Sequence, residues 1–377
     1  MRTADPVRFT AGVGPFPEFA FRSGPMRVDD LDTPVPVIDL DRVEHNLTKM
    51  QAYCDRHGLA LRPHIKTHKL PQFALRQIEL GAVGITCQKI SEAMVMAEAG
   101  CADILLTYPI VGAAKVKPLA DLAGKTKLTV ALDNAVALDT VAAAAAEAGV
   151  EIGILVEFDS GDGRCGVQTP DEVLTLARRA AGNGLTRFRG LMTYPRGPRT
   201  VPFVAETRRL LDGAGIAVET VSVGGTPGCW DTHELPGVTE LRVGTYIYHD
   251  RATVGAGVAT LDECAVHVHA TVVSRPTPDR AVLDCGSKTL SSDRVAPSVG
   301  EGFGLILDYP DAVIVRVNEE HAVVDLANSA ERPEIGDRVR ILPNHVCVVT
   351  NLHDRMAISR NGEVVGDWPV PARGCTR

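Results

Sequence analysis

Several protein classes are excluded by what this 377-residue chain lacks. It has no basic block, and with a formal net charge of −8 it offers no footprint for nucleic acid. The opening MRTADPVRFT contains no apolar h-region, so no secretory leader is expected. Nor is a membrane span expected, because the alanine-rich stretch at 141–148 is interrupted by Asp139, Glu147 and Glu151. The nine cysteines are odd in number and scattered, which excludes a small disulfide framework. They read as reduced thiols, hence a cytoplasmic protein. What is present is 45% hydrophobic and 23% charged, ordinary for a soluble globular enzyme, and long enough for two domains.

Residues 1–30 mix prolines, glycines and phenylalanines without periodicity and read as an arm over the body of the protein or a partner subunit. A strand at 36–40 follows, and then a helix. Asp41 is its expected N-cap with Glu44 three residues on, Val43, Leu47, Met50 and Cys54 recur at helical spacing, and Gly58 closes it. Short apolar runs then alternate with helical patterns: 59–66, 83–87, 103–108, 128–133, 152–159, 188–194, 220–225 and 241–245. Eight continuous apolar strands separated by helices predict a parallel sheet with both faces covered, closed into a (β/α)8 TIM-type barrel over residues 31–259. From residue 260 to 377 the texture changes to short strands and turns, a mostly β C-terminal domain.

Lys66, in Arg62-Pro63-His64-Ile65-Lys66-Thr67-His68-Lys69, falls at the carboxyl end of the first barrel strand, where such folds place their chemistry. Its cationic neighbours Arg62, His64, His68 and Lys69 favour an activated amine holding a carbonyl cofactor. The alternative is a surface lysine in a polar loop, and Lys69 is the local competitor. Gly224, Gly225 and Thr226 after the seventh strand, with Gly244 and Thr245 after the eighth, form either a phosphate site of backbone N–H groups or a pair of tight turns. Arg164 sits on a glycine-rich loop after the fifth strand, over the mouth or paired with Asp162 in solvent. Tyr194, ending the sixth, is a phenol in the site or a rim aromatic. In Pro343-Asn344-His345-Val346-Cys347, read as extended, residues two apart face the same way, so imidazole and thiolate converge as a zinc-type pair. His267-Val268-His269 shares that spacing and reads as the solvent face of an alternating strand.

Together the runs 62–69, 81–89, 163–166 and 343–347 resemble the D-threonine aldolase and D-serine dehydratase group of alanine-racemase-like pyridoxal 5'-phosphate enzymes, over about residues 31–356. The resemblance implies an alanine-racemase fold, homodimers with active sites at the subunit interface, and a cofactor covalently held by Lys66. It places His64, Arg164 and Tyr194 against the cofactor, with Lys66, Tyr194 and Arg164 catalytic. Gly224, Gly225, Thr226, Gly244 and Thr245 would hold the phosphate, and His345 and Cys347 a divalent metal. There are two departures. The aldolases usually carry aspartate where Cys347 stands, and a thiolate favours zinc over manganese or magnesium. They also tend to carry a histidine shortly after the tyrosine. Here Arg196 and Arg199 follow instead, either to recognise a second substrate carboxylate or as solvated loop residues.

The expected activity is therefore a pyridoxal-phosphate- and metal-dependent lyase acting on a small D-3-hydroxy amino acid. The dehydratase form takes D-serine or D-threo-3-hydroxyaspartate to a 2-oxo acid and ammonia. The aldolase form releases glycine and an aldehyde from the same parts. A racemase would need two bases and no metal. A non-catalytic pyridoxal-phosphate carrier would leave the β domain without a purpose.

Overall fold

Two sheets organise residues 26–377, the part of the chain described by this computed structural model. The first has eight parallel strands: Ala60–Leu61, Ile85–Cys87, Asp103–Leu106, Lys127–Leu132, Ile152–Glu157, Thr186–Thr193, Thr220–Gly224 and Glu240–Arg242. The last pairs with the first. The first and second meet through Val83 N–H on the Leu61 carbonyl (2.9 Å) and a bridge between His64 and Thr86. This is the expected barrel. Its strands read as unbroken apolar runs because both faces are covered. Leu105, Ala131, Leu155 and Met192 fill the interior, while Ile104, Val130, Ile154 and their neighbours pack on the helices outside.

The helix Leu40–His57 starts two residues earlier than the sequence suggests. Its N-cap is Asp39, which accepts the N–H groups of Asp41 and Arg42, because the preceding strand already ends there. Gly58 closes it in the left-handed conformation at φ 66°.

The second sheet has ten strands. Six of them, Val266–Thr277, Arg280–Leu283, Ala322–Asp325, Val313–Val317, Leu305–Ile306 and Arg338–Leu342, form a closed antiparallel ring. The strand Val35–Asp39, expected in the barrel unit, belongs here. It lies between Val266–Thr277 and Arg355–Arg360. Strand pairing is non-local, so the sequence could not say which sheet this apolar run would join. The hairpin Arg355–Arg360 and Glu363–Pro369 extends the sheet, and Met26–Arg27 pairs with its second strand. Of the expected arm, residues 1–25 lie outside the described residues.

His267 and His269 do not form a solvent face. They line a cavity with Asp39, Arg42 and Arg340, and burial holds His267 down to about 3 and His269 to about 4. Arg42 from the helix that starts at Leu40, with Val28 and Asp29 ahead of the strand Val35–Asp39, stands over what alternation alone presented as an open side. Among the described residues all nine cysteines are free thiols, and no helix is long and apolar enough to cross a membrane.

Candidate active site

Lys66 lies in a 3₁₀ turn, Ile65–Thr67, just past the first barrel strand. The flanking cations do not crowd its amine. Arg62 turns into the barrel, to Glu240 and Asp103. His68 is buried, which pushes it down to about 3, and Lys69 is buried against Glu92 at 2.6 Å. The sequence expected a cluster because it could not see that alternate side chains leave the loop in different directions. Lys69 is thereby removed as a competitor. Among the described residues no carboxylate pairs with Lys66, so its amine remains free for an aldehyde. His64 caps the turn by accepting the Lys66 N–H at Nδ1 (3.3 Å). Its proton therefore sits on Nε2, which donates to Gln88 Oε1 at 3.0 Å. Burial, helped by the Lys66 charge, keeps this imidazole neutral.

Arg164 and Tyr194 face the same cavity as Lys66. The Lys66 amine is 5.6 Å and the Arg164 guanidinium 4.9 Å from the Tyr194 ring centroid, so the ring is part of the site rather than a rim aromatic. The Arg164 loop is built by Asp159, whose Oδ1 receives the N–H groups of Gly161, Asp162 and Gly163 at 2.8, 2.9 and 3.1 Å. These bonds hold Asp159 below the usual carboxylate range. Arg164 itself approaches Glu157 at 3.7 Å, not Asp162. Burial pushes Glu157 up to about 7, against the pull of Arg164 and Arg242.

The two glycine turns line the same cavity with Thr226 and Thr245. Gly225 needs its glycine for backbone reasons, at φ +112°. Gly224 and Gly244 need theirs for closeness: a Cβ would stand 3.0 Å from the Tyr194 ring and 2.9 Å from Thr67 Oγ1, respectively. Beneath them Arg242 is buried, donating to Ser222 Oγ and to the Thr193 carbonyl at 2.9 Å. Burial lowers it to about 10 while Glu240 and Glu157 oppose the shift.

His345 and Cys347 converge, though not by strand alternation. The strand ends at Leu342, and His345 is the extended N-cap of the helix Val346–Leu352, whose first turn carries Cys347. The hydrogen bond to Cys347, with Asp293 behind, raises His345 to about 9. Its Nδ1 is 2.7 Å from Asp293 Oδ2. Cys347 Sγ lies 3.1 Å from Thr67 Oγ1 and 3.8 Å from Thr245 Oγ1. The pair therefore abuts the Lys66 turn of the same chain. Arg196 and Arg199 are committed elsewhere, to Asp231 at 3.4 Å and to the Gln168 carbonyl at 2.7 Å. Neither lines the cavity that holds Lys66.

The donors suit both expected groups. A free amine, a guanidinium and glycine turns that admit close backbone approach fit a phosphorylated aldehyde. A thiol beside an imidazole backed by a carboxylate fits a divalent cation. Among the described residues no third His, Cys, Asp or Glu joins that pair, so further positions would fall to water or substrate. Sequence reasoning assigned no role to Gln88, Thr107, Glu157, Arg242 or Asp293. Thr107, Glu157 and Arg242 carried a signal, being polar residues at inward-facing positions near the ends of apolar strands. Asp293 carried none.

Comparisons with known proteins agree with this geometry. Residues 38–252 match the family described as "Alanine racemase, N-terminal domain", and residues 265–359 match a serine dehydratase domain. The chain is 40% identical to a D-threonine aldolase of an Arthrobacter species, over 92% of this chain and 94% of that protein. The crystal structure of D-threonine aldolase from Filomicrobium marinum superposes with a TM-score of 0.85 at 33% identity, covering 95% of this chain and all (100%) of that one. D-threo-3-hydroxyaspartate dehydratase from Delftia sp. HT23 gives a TM-score of 0.77 at 31% identity, over 91% and 98% of the two chains. This chain belongs to the D-threonine aldolase and D-serine dehydratase group of the alanine-racemase-fold family, and is an enzyme of that pyridoxal-phosphate-dependent lyase kind.

Proposed function

We propose that the protein is a metal-dependent dehydratase of a small D-3-hydroxy amino acid, such as D-serine or D-threo-3-hydroxyaspartate. The observation that carries this reading is the His345–Cys347 pair, with Asp293 behind it and Thr67 at 3.1 Å. A thiolate–imidazole pair suits Zn²⁺ better than manganese or magnesium. Solved structures of D-threo-3-hydroxyaspartate dehydratase include a histidine-to-alanine variant and a cysteine-to-alanine variant, the second described as metal-free. The two substituted positions there are also two residues apart.

Bound at this mouth, pyridoxal phosphate supplies an electron sink for charge at the substrate Cα, and a divalent cation supplies a Lewis acid toward the β-hydroxyl. Lys66 Nζ, which has no carboxylate partner among the described residues, would hold the cofactor and serve as the base toward the α-proton. Neutral His64 keeps the turn in register through the Lys66 N–H. The Tyr194 ring walls the site between the Lys66 amine and the Arg164 guanidinium. Arg164 orients the cofactor with its guanidinium, and Gly224, Gly225, Thr226, Gly244 and Thr245 bind the phosphate. His345 and Cys347 hold the cation while Asp293 fixes the imidazole. Loss of the β-hydroxyl releases an enamine that hydrolyses to a 2-oxo acid and ammonia.

A homodimer with the site at the subunit interface is part of the same proposal. It is supported by the openness of the mouth in one chain, where Tyr194 is 39% exposed.

Retro-aldol cleavage is the second reading, favoured by the 40% identity to a D-threonine aldolase. Zinc-loaded and chelated protein assayed on D-serine, D-threonine and D-threo-3-hydroxyaspartate separates the two. The dehydratase reading expects 2-oxo acid and ammonia only with metal, and glycine as the product overturns it.

A further inference from the structure

Glu157 ends its strand with the carboxyl turned into the barrel. Leu155, two residues earlier, belongs to the interior layer with Leu105, Ala131 and Met192, and alternation sends Glu157 the same way one layer nearer the mouth. The residue is only 2% exposed. Arg164 Nη2 stands 3.7 Å from Oε1 on a side chain that is itself 52% exposed. Buried Arg242 attracts the carboxylate from within the barrel, and Asp133 repels it while accepting the Gly166 N–H at 2.9 Å. With Asp159 and Asp133 fixing the loop backbone on both sides, the Arg164 side chain is the part left free to swing.

We infer that Glu157 is a positioning residue, whose carboxylate, shared between Arg164 and Arg242, draws the Arg164 guanidinium over the Tyr194 ring and holds it for the anionic cofactor. The inference rests on the reading of Arg164 as a cofactor contact. A half-exposed arginine samples many rotamers, and a tether that restricts them lowers the entropy lost on binding. The ionised carboxylate is not favoured by its own burial. Burial pushes it up to about 7, so its ionised form costs folding free energy that a neutral isostere would not.

A double-variant cycle on the full-length chain tests this, with pyridoxal phosphate as the probe. At about pH 8, E157Q is expected to weaken cofactor binding roughly tenfold when Arg164 is present and less than about twofold in an R164A background. Near pH 6 the gap between wild type and E157Q should close as Glu157 takes up its proton. E157D, which keeps the charge, should recover part of the affinity. E157Q should also melt above the wild type at about pH 8, whereas a carboxylate kept for the fold would give a lower melting temperature. Equal E157Q losses in both backgrounds, no loss in either, or a lowered melting temperature overturns the inference. If R164A alone leaves affinity unchanged, the reading of Arg164 falls and the inference with it. If R164A weakens binding and E157Q does not, the inference alone falls.

Discussion

At the amino-terminal end of the barrel, Arg62 meets Glu240 at 2.8 Å and Asp103 at 2.7 Å, and Lys127 closes on Asp103 at 2.7 Å. At the carboxyl end, Lys66 has no carboxylate partner among the described residues, and Arg164 has only Glu157 at 3.7 Å. Both ends are lined with charge, yet only the first is neutralised by its own side chains. Buried or half-buried cations without partners are costly, so they mark a place built for an anion from outside. The paired end holds the fold together, and the unpaired end is where we propose the site.

The sharpest way to break this contrast is at the mouth. Lys66→Ala is expected to abolish the cofactor's visible absorbance band and to reduce turnover by roughly a thousandfold or more, with the melting temperature preserved. Absorbance spectra of the purified variant check it. Next, His345→Ala or Cys347→Ala should lose bound metal and about a hundredfold in turnover while keeping the cofactor band, as metal analysis beside the spectrum would reveal. At the other end the pattern should invert. Glu240→Ala leaves the half-buried Arg62 to Asp103 alone and is expected to cost about 1.5–3 kcal/mol of stability in denaturant melts, with cofactor affinity retained.

The smallest effect concerns pH. His267 and His269, held down to about 3 and about 4 by burial, stay neutral in the folded chain where the unfolded chain protonates below about 6.5. The unfolded state then binds more protons, so stability falls as pH drops from about 6.5 toward 4. Melting temperatures across that window should decline, and less steeply when both histidines are replaced by asparagine.

Much of this was legible before any coordinates. Eight apolar runs with intervening helices specified the barrel, because period and run length are local properties. The Lys66 run and the two glycine turns pointed to one cavity because strand ends in such a barrel converge, whereas the His345–Cys347 pair comes from the β domain and reaches the Lys66 turn through Thr67. What stayed hidden was non-local. The apolar strand Val35–Asp39 carries no mark of which sheet it will join, and the half-buried setting of His267 depends on Arg42 and Arg340 from distant elements. The His345–Cys347 convergence was anticipated for the wrong reason, since a helix N-terminus brings the two side chains together. Asp293 was out of reach, because nothing in its neighbourhood distinguishes it from any loop aspartate.

The central claim is that the Lys66 amine carries the cofactor. Borohydride reduction of the holoenzyme followed by peptide mass spectrometry tests it most directly. The account predicts a single pyridoxyl adduct on Lys66, with Lys69 unmodified because Glu92 holds it at 2.6 Å. An adduct on Lys69 or another lysine, with Lys66 free, would contradict it.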